Sequence, residues 1–144
     1  MNLLGAAQIR ALAEKLDLKP TKKLGQNFVI DANICRKIVK LAQVSESDIA
    51  LEIGPGLGSL TLALLEQTKQ VVAVEIDNRL ANQLPITVIE NGFSSEKLIV
   101  INEDAMTLTH LDVKPTVLVA NLPYNISVQY YLMFLNIFHL LLKE

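Results

Sequence analysis

Four short and nearly unbroken apolar runs, at residues 49–53, 71–76, 98–101 and 116–120, constrain this chain more than any other feature. A strand with one face in water alternates apolar and polar residues, whereas a parallel strand covered on both faces reads as a continuous Val- and Ile-rich run. Val71, Val72, Ala73 and Val74 form such a run, as do Leu98, Ile99, Val100 and Ile101. Stretches of helical length follow the first two runs, at residues 57–67 and from Asn78 to a polar turn at Asn91 and Gly92. The pattern predicts an α/β domain, a parallel sheet with helices on both faces, cut after about four strands.

The flanks fit this plan. Ile9, Leu12, Ala13 and Leu16 have helical spacing and predict a helix over residues 6–16. A loop over 17–28 contains Pro20, Gly25 and Asn27, and Asp31 is placed to cap a helix whose Ile34, Ile38, Leu41 and Ala42 form one face. Residues 128–142 are apolar apart from Gln129, Asn136 and His139. A bilayer needs roughly 20 apolar residues, so a buried or interface helix is expected here and no membrane span. With 144 residues the chain fits one domain and needs neither metal nor disulfide staples. Its single Cys35 has no partner and reads as a small buried residue, which with the lack of a secretory leader pattern points to the cytoplasm.

Charge is uneven. Residues 1–44 hold eight basic and three acidic side chains, and the remainder holds five basic and twelve acidic. A basic amino-terminal segment on an acidic body is suited to a polyanion, although solvated surface lysines give the same count.

After the first run comes Gly54-Pro55-Gly56-Leu57-Gly58, a tight turn that lets a ligand approach the backbone. Its third glycine comes one position too early for the dinucleotide pattern that brings a helix to pyrophosphate. Glu75 closes the second strand, about 20 residues on, where an acid can accept from both ribose hydroxyls. Asp104 follows the third strand; it could accept from an adenine amine or cap the next turn. A glycine turn and two acids at three successive strand ends describe a pocket for an adenosine without pyrophosphate, and S-adenosylmethionine meets that description.

The fourth run leads into Asn121-Leu122-Pro123-Tyr124. An exocyclic amine on adenine is a poor nucleophile because its lone pair is delocalised into the ring. Two acceptors on its hydrogens, the Asn121 side-chain oxygen and the Leu122 carbonyl, favour the tetrahedral nitrogen whose lone pair can reach a sulfonium methyl group. Pro123 restricts the backbone, and Tyr124 can stack on the base. The plain alternative is an ordinary Asn-x-Pro turn.

Five ordered motifs now carry a resemblance: Leu24-Gly25-Gln26-Asn27-Phe28, Glu52-Ile53-Gly54-Pro55-Gly56, Val74-Glu75-Ile76-Asp77, Asp104-Ala105-Met106 and Asn121-Leu122-Pro123-Tyr124-Asn125-Ile126-Ser127. The chain resembles the ribosomal RNA adenine dimethyltransferases, most closely the bacterial small-subunit branch whose loss gives kasugamycin resistance. The resemblance implies a Rossmann-like S-adenosylmethionine-dependent methyltransferase fold. It assigns Asn27, Val29, Gly54, Gly56, Glu75, Asp104 and Asn121 to the cofactor, and Asn121, Leu122, Pro123 and Tyr124 to the target adenine. The implied reaction is dimethylation of two adjacent adenines in a 3′-terminal hairpin of small-subunit ribosomal RNA, with an immature ribosomal subunit as partner. Lys19, Lys22 and Lys23 then suit phosphate contacts that position RNA.

The family chain continues with further strands and a small helical RNA-binding domain, so the chain corresponds to its amino-terminal part and could self-associate through the cut sheet edge. Gln129 stands where relatives commonly have proline. Two other readings remain: a fragment that binds cofactor or RNA without catalysis, and a nicotinamide-dependent oxidoreductase, which leaves Asn121 to Tyr124 unused.

Overall fold

The computed structural model describes residues 1–18, 31–120 and 128–143. Its elements in chain order are α1 (Ala6–Lys15), α2 (Ala32–Leu41), β1 (Ile49–Ile53), α3 (Ser59–Gln67), β2 (Gln70–Val74), α4 (Asn78–Glu90), a 3-10 turn (Ser95–Lys97), β3 (Leu98–Ile101), β4 (Val117–Ala120) and α5 (Val128–Leu142). The four strands form one parallel sheet in the order β3-β2-β1-β4. The chain thus builds outward from β1 to β3 and then returns to the other side of β1, which makes the β1/β4 boundary the topological switch point where open α/β sheets bind ligands.

The period of two along each strand divides the interior. Ala50, Val71, Ala73 and Val119 point into a layer with Leu4, which precedes α1, and with Ile9, Cys35, Val39, Leu62, Leu64, Leu84 and Val88 from the helices. Leu51, Ile53, Val72 and Val74 point the other way, onto Ala105, Leu108 and Ile137. Each fully buried leucine or valine contributes about 1.5–3 kcal/mol, so the two layers clamp the sheet from both sides. The expected parallel sheet with helices on both faces is therefore the observed architecture.

Local signals act where the side chains reach. Asp31 caps α2, accepting from the Asn33 amide at 2.6 Å, and Asp77 caps α4 through the amides of Arg79 and Leu80. The expected helix over 57–67 starts two residues later, because Gly58 takes φ +101° as its N-cap. Pro85 lies inside α4, where it removes one helical hydrogen bond, yet buried Leu80, Ala81, Leu84 and Val88 hold the helix against the sheet. On the other face Asn136 anchors α5 by donating to the carbonyls of Ala105 and Leu108, both at 3.0 Å. Ile137 is fully buried, while Leu132, Leu135, Phe138 and Leu142 stay exposed on the outer face. Among the described residues no helix is long and apolar enough to cross a membrane.

Candidate functional site

The site forms at the carboxyl ends of β1, β2 and β3. The glycine turn leaves β1 at Gly54, whose amide donates to the Val74 carbonyl at 2.9 Å and so ties the turn to β2. Gly54 and Gly56 have φ of +70° and +58°, a region that costs side-chain-bearing residues about 1–2 kcal/mol. A Cβ on Gly54 would meet nothing within 4 Å among the described residues. At Gly58 a Cβ would lie 2.7 Å from Leu84 Cδ1, so this glycine serves the packing of α4. The three glycines of one turn therefore do different work.

Glu75 stands one residue beyond β2, which ends at Val74, although its amide still reaches the Ile101 carbonyl at 3.0 Å. The residue is 5% exposed and its carboxylate joins two turns: Oε1 accepts from the Gly56 amide at 3.1 Å and Oε2 from the Asp77 amide at 3.0 Å. Burial pushes this carboxyl above the usual range, and the two amides pull against that rise. Each oxygen keeps a further lone pair for an incoming donor. Asn102, at the end of β3, donates to the carbonyls of Glu75 and Ile76 at 2.9 and 3.3 Å and joins the third strand end to this turn. Ile76 itself is 66% exposed, an apolar side chain left in solvent beside a buried acid.

Asp104 caps its own turn: Oδ1 accepts from the Met106 amide at 2.9 Å, and its carbonyl accepts from the Thr107 amide at 3.0 Å. Of the expected residues, Gly54, Gly56, Glu75 and Asp104 lie at one end of the sheet, and Gly56 and Glu75 are directly bonded. Asn27, Val29, Asn121, Leu122, Pro123, Tyr124, Lys19, Lys22 and Lys23 lie outside the described residues. β4 runs to Ala120, which pairs with Ile53, the residue before the glycine turn.

Glu52 and Ile76 stand within the motifs quoted above but were given no role there, and Asn102 was not singled out. Glu52 is fully buried on the face of β1 that α3 covers; Oε1 accepts from Thr61 Oγ1, and Oε2 has no hydrogen-bond partner among the described residues. Burial raises its pKa to about 7, the Thr61 hydroxyl lowers it, and nearby Glu75 adds a smaller rise. An acid in the middle of an apolar run was the available signal. Cys35, also buried on this side, has its thiol pushed up to about 11 mainly by burial, so it is inert as a nucleophile.

The family model for ribosomal RNA adenine dimethylase matches residues 18–143. Ribosomal RNA small subunit methyltransferase A from Corynebacterium diphtheriae is 57% identical over 138 residues, which cover 94% of this chain and 47% of that protein. The protein of the same name from Thermobifida fusca is 53% identical, covering 94% of this chain and 48% of its own length. The chain thus spans about half the length of the curated relatives it matches. Among solved structures, a dimethyladenosine transferase from Plasmodium falciparum superposes with a TM-score of 0.59 at 36% identity, over 72% of this chain and 36% of that one. The 23S rRNA methyltransferase ErmE gives a TM-score of 0.58 at 29% identity, over 71% and 40% of the respective chains. From the glycine turn bonded to its acid, the matched span and these identities together, the chain belongs to the ribosomal RNA adenine dimethylase family.

Proposed function

We propose that this chain is the cofactor- and base-binding part of an enzyme that dimethylates the exocyclic amine of two adjacent adenines in a 3′-terminal hairpin of small-subunit ribosomal RNA, in the cytoplasm and on an immature ribosomal subunit. The observation that carries the reading is the bond from the Gly56 amide to Glu75 Oε1 at the carboxyl ends of β1 and β2, next to the β1/β4 switch point and beside Gly54, where a Cβ would meet no described residue within 4 Å. A buried acid with free lone pairs suits a ribose diol. The bare backbone of Gly54 admits a ligand that a side chain would exclude, and Ile76 offers apolar surface to a purine. S-adenosylmethionine fits these residues and supplies, when bound, an electrophilic methyl group.

In this reading Asn27, Val29, Gly54, Gly56, Glu75, Asp104 and Asn121 hold the cofactor. The Asn121 side chain and Leu122 carbonyl accept from the target amine, so that its lone pair turns out of the ring plane toward the methyl donor. Pro123 keeps that carbonyl in position, and Tyr124 stacks on the base, a contact worth about 1–3 kcal/mol. Acceptors fixed in advance at a site of developing positive charge need no reorganisation during the reaction, and holding both reactants together accounts for much of the acceleration. The target base must leave its stack to enter. Lys19, Lys22 and Lys23 contact phosphates and add affinity without sequence preference.

Titration calorimetry with S-adenosylmethionine tests the reading: the chain binds, and Glu75→Ala abolishes or strongly weakens binding. Equal affinity for the two proteins would refute it.

A further inference from the structure

α1 ends in a closed cap in which the Asp17 amide donates to the Glu14 carbonyl at 3.1 Å and the Leu18 amide to the Ala13 carbonyl at 2.9 Å, with Asp17 at φ +53°. This is the Schellman arrangement of a helix end. The carbonyls of Leu16 and Asp17 point onward and accept from Arg79 Nη1 at 2.9 and 3.4 Å. The other edge of the same guanidinium meets Asp77, Nη2 to Oδ2 at 3.0 Å and Nε to Oδ1 at 3.4 Å. Asp77 in turn donates its amide to Glu75 Oε2 at 3.0 Å. One continuous series of hydrogen bonds therefore runs from the end of α1 through Arg79 and Asp77 to the buried acid.

A cation in the first turn of α4 opposes the helix dipole, so helix stability alone does not explain an arginine there. Its planar fork does, because it spans two elements at once, which a lysine ammonium cannot do in the same geometry. The Arg79 side chain is half exposed, and such contacts contribute little to global stability. Their consequence is positional.

We propose that Arg79 is a positioning residue of the cofactor site: it clamps the end of α1 to the turn that carries Glu75, fixing that carboxylate and the point at Leu18 from which segment 19–30 departs. The proposal rests on the reading of Glu75 as the ribose acceptor. Arg79 touches no cofactor itself and acts through Asp77 and the α1 carbonyls.

The test compares the 144-residue chain with its R79A, R79K and E75A variants, using S-adenosylhomocysteine as the probe in calorimetry and in amide exchange at Asp17 and Leu18. R79A is expected to bind about five- to tenfold more weakly. R79K is expected to recover the melting temperature but not the affinity, a split that a purely structural role would not produce. At saturating ligand, exchange at Asp17 and Leu18 slows in the unsubstituted chain and stays unchanged in R79A. Normal affinity in R79A while E75A loses binding overturns the clamp and leaves the ribose reading standing; normal affinity in E75A overturns both. If R79A does not yield folded protein, R79K decides alone: full affinity refutes the proposal and reduced affinity at an unchanged melting temperature supports it.

Discussion

Replacing Glu52 by glutamine should change how stability depends on pH, because a fully buried carboxyl is the most displaced acid in this fold. Glutamine keeps the shape and an acceptor for the Thr61 hydroxyl but cannot titrate. Burial lifts the Glu52 pKa from 4.5 to about 7. The folded protein therefore holds a proton that the unfolded chain has released across that interval. The stability contributed by the neutral acid is complete below the unfolded value of 4.5 and is lost as pH rises through about 7. The whole displacement corresponds to on the order of 3 kcal/mol, of which about 2 kcal/mol falls between roughly pH 5.5 and 8. Urea denaturation of both proteins across that range measures it. The advantage of glutamine over glutamate should grow by about 2 kcal/mol toward high pH. Titration of Glu75, also raised by burial, occurs in both proteins and largely cancels in the difference. Parallel curves over the whole range would refute the claim that Glu52 is buried without a charge-stabilising partner.

Two further outcomes follow from single residues. Gly58→Ala should destabilise the fold by about 1–3 kcal/mol, since its Cβ would press within 2.7 Å of Leu84 at a left-handed φ; a urea midpoint equal to that of the unsubstituted chain would contradict the packing role. In the complete enzyme, Asn121→Ala should lower methyl transfer by at least about a hundredfold while cofactor binding persists, and near-normal turnover in a single-turnover assay would remove Asn121 from the chemistry.

The architecture was legible because burial on both faces writes itself into composition. Continuous apolar runs at residues 49–53 and 98–101 match β1 and β3, and Asp31 marks the start of α2 by local hydrogen-bonding chemistry. The glycine turn and the acid that follows β2 were legible as local features because φ above zero and an acid at a strand end are properties of single positions. Residue type and spacing also indicated the family.

Other features depend on partners far apart in the chain. Nothing local distinguishes Gly58, which yields to Leu84 across 26 positions, from Gly54, where a Cβ would meet no described residue within 4 Å. The raised pKa of Glu52 exists because α3 covers β1, and the guanidinium of Arg79 matters because the end of α1 comes to rest 63 residues away in sequence. Pro85 would end an isolated helix, but α4 continues through it because the buried face of that helix outweighs one lost hydrogen bond. Periodicity and turn chemistry are short-range and so were set by the sequence itself, whereas desolvation, close approach and bridging contacts arise only when the sheet brings distant segments together.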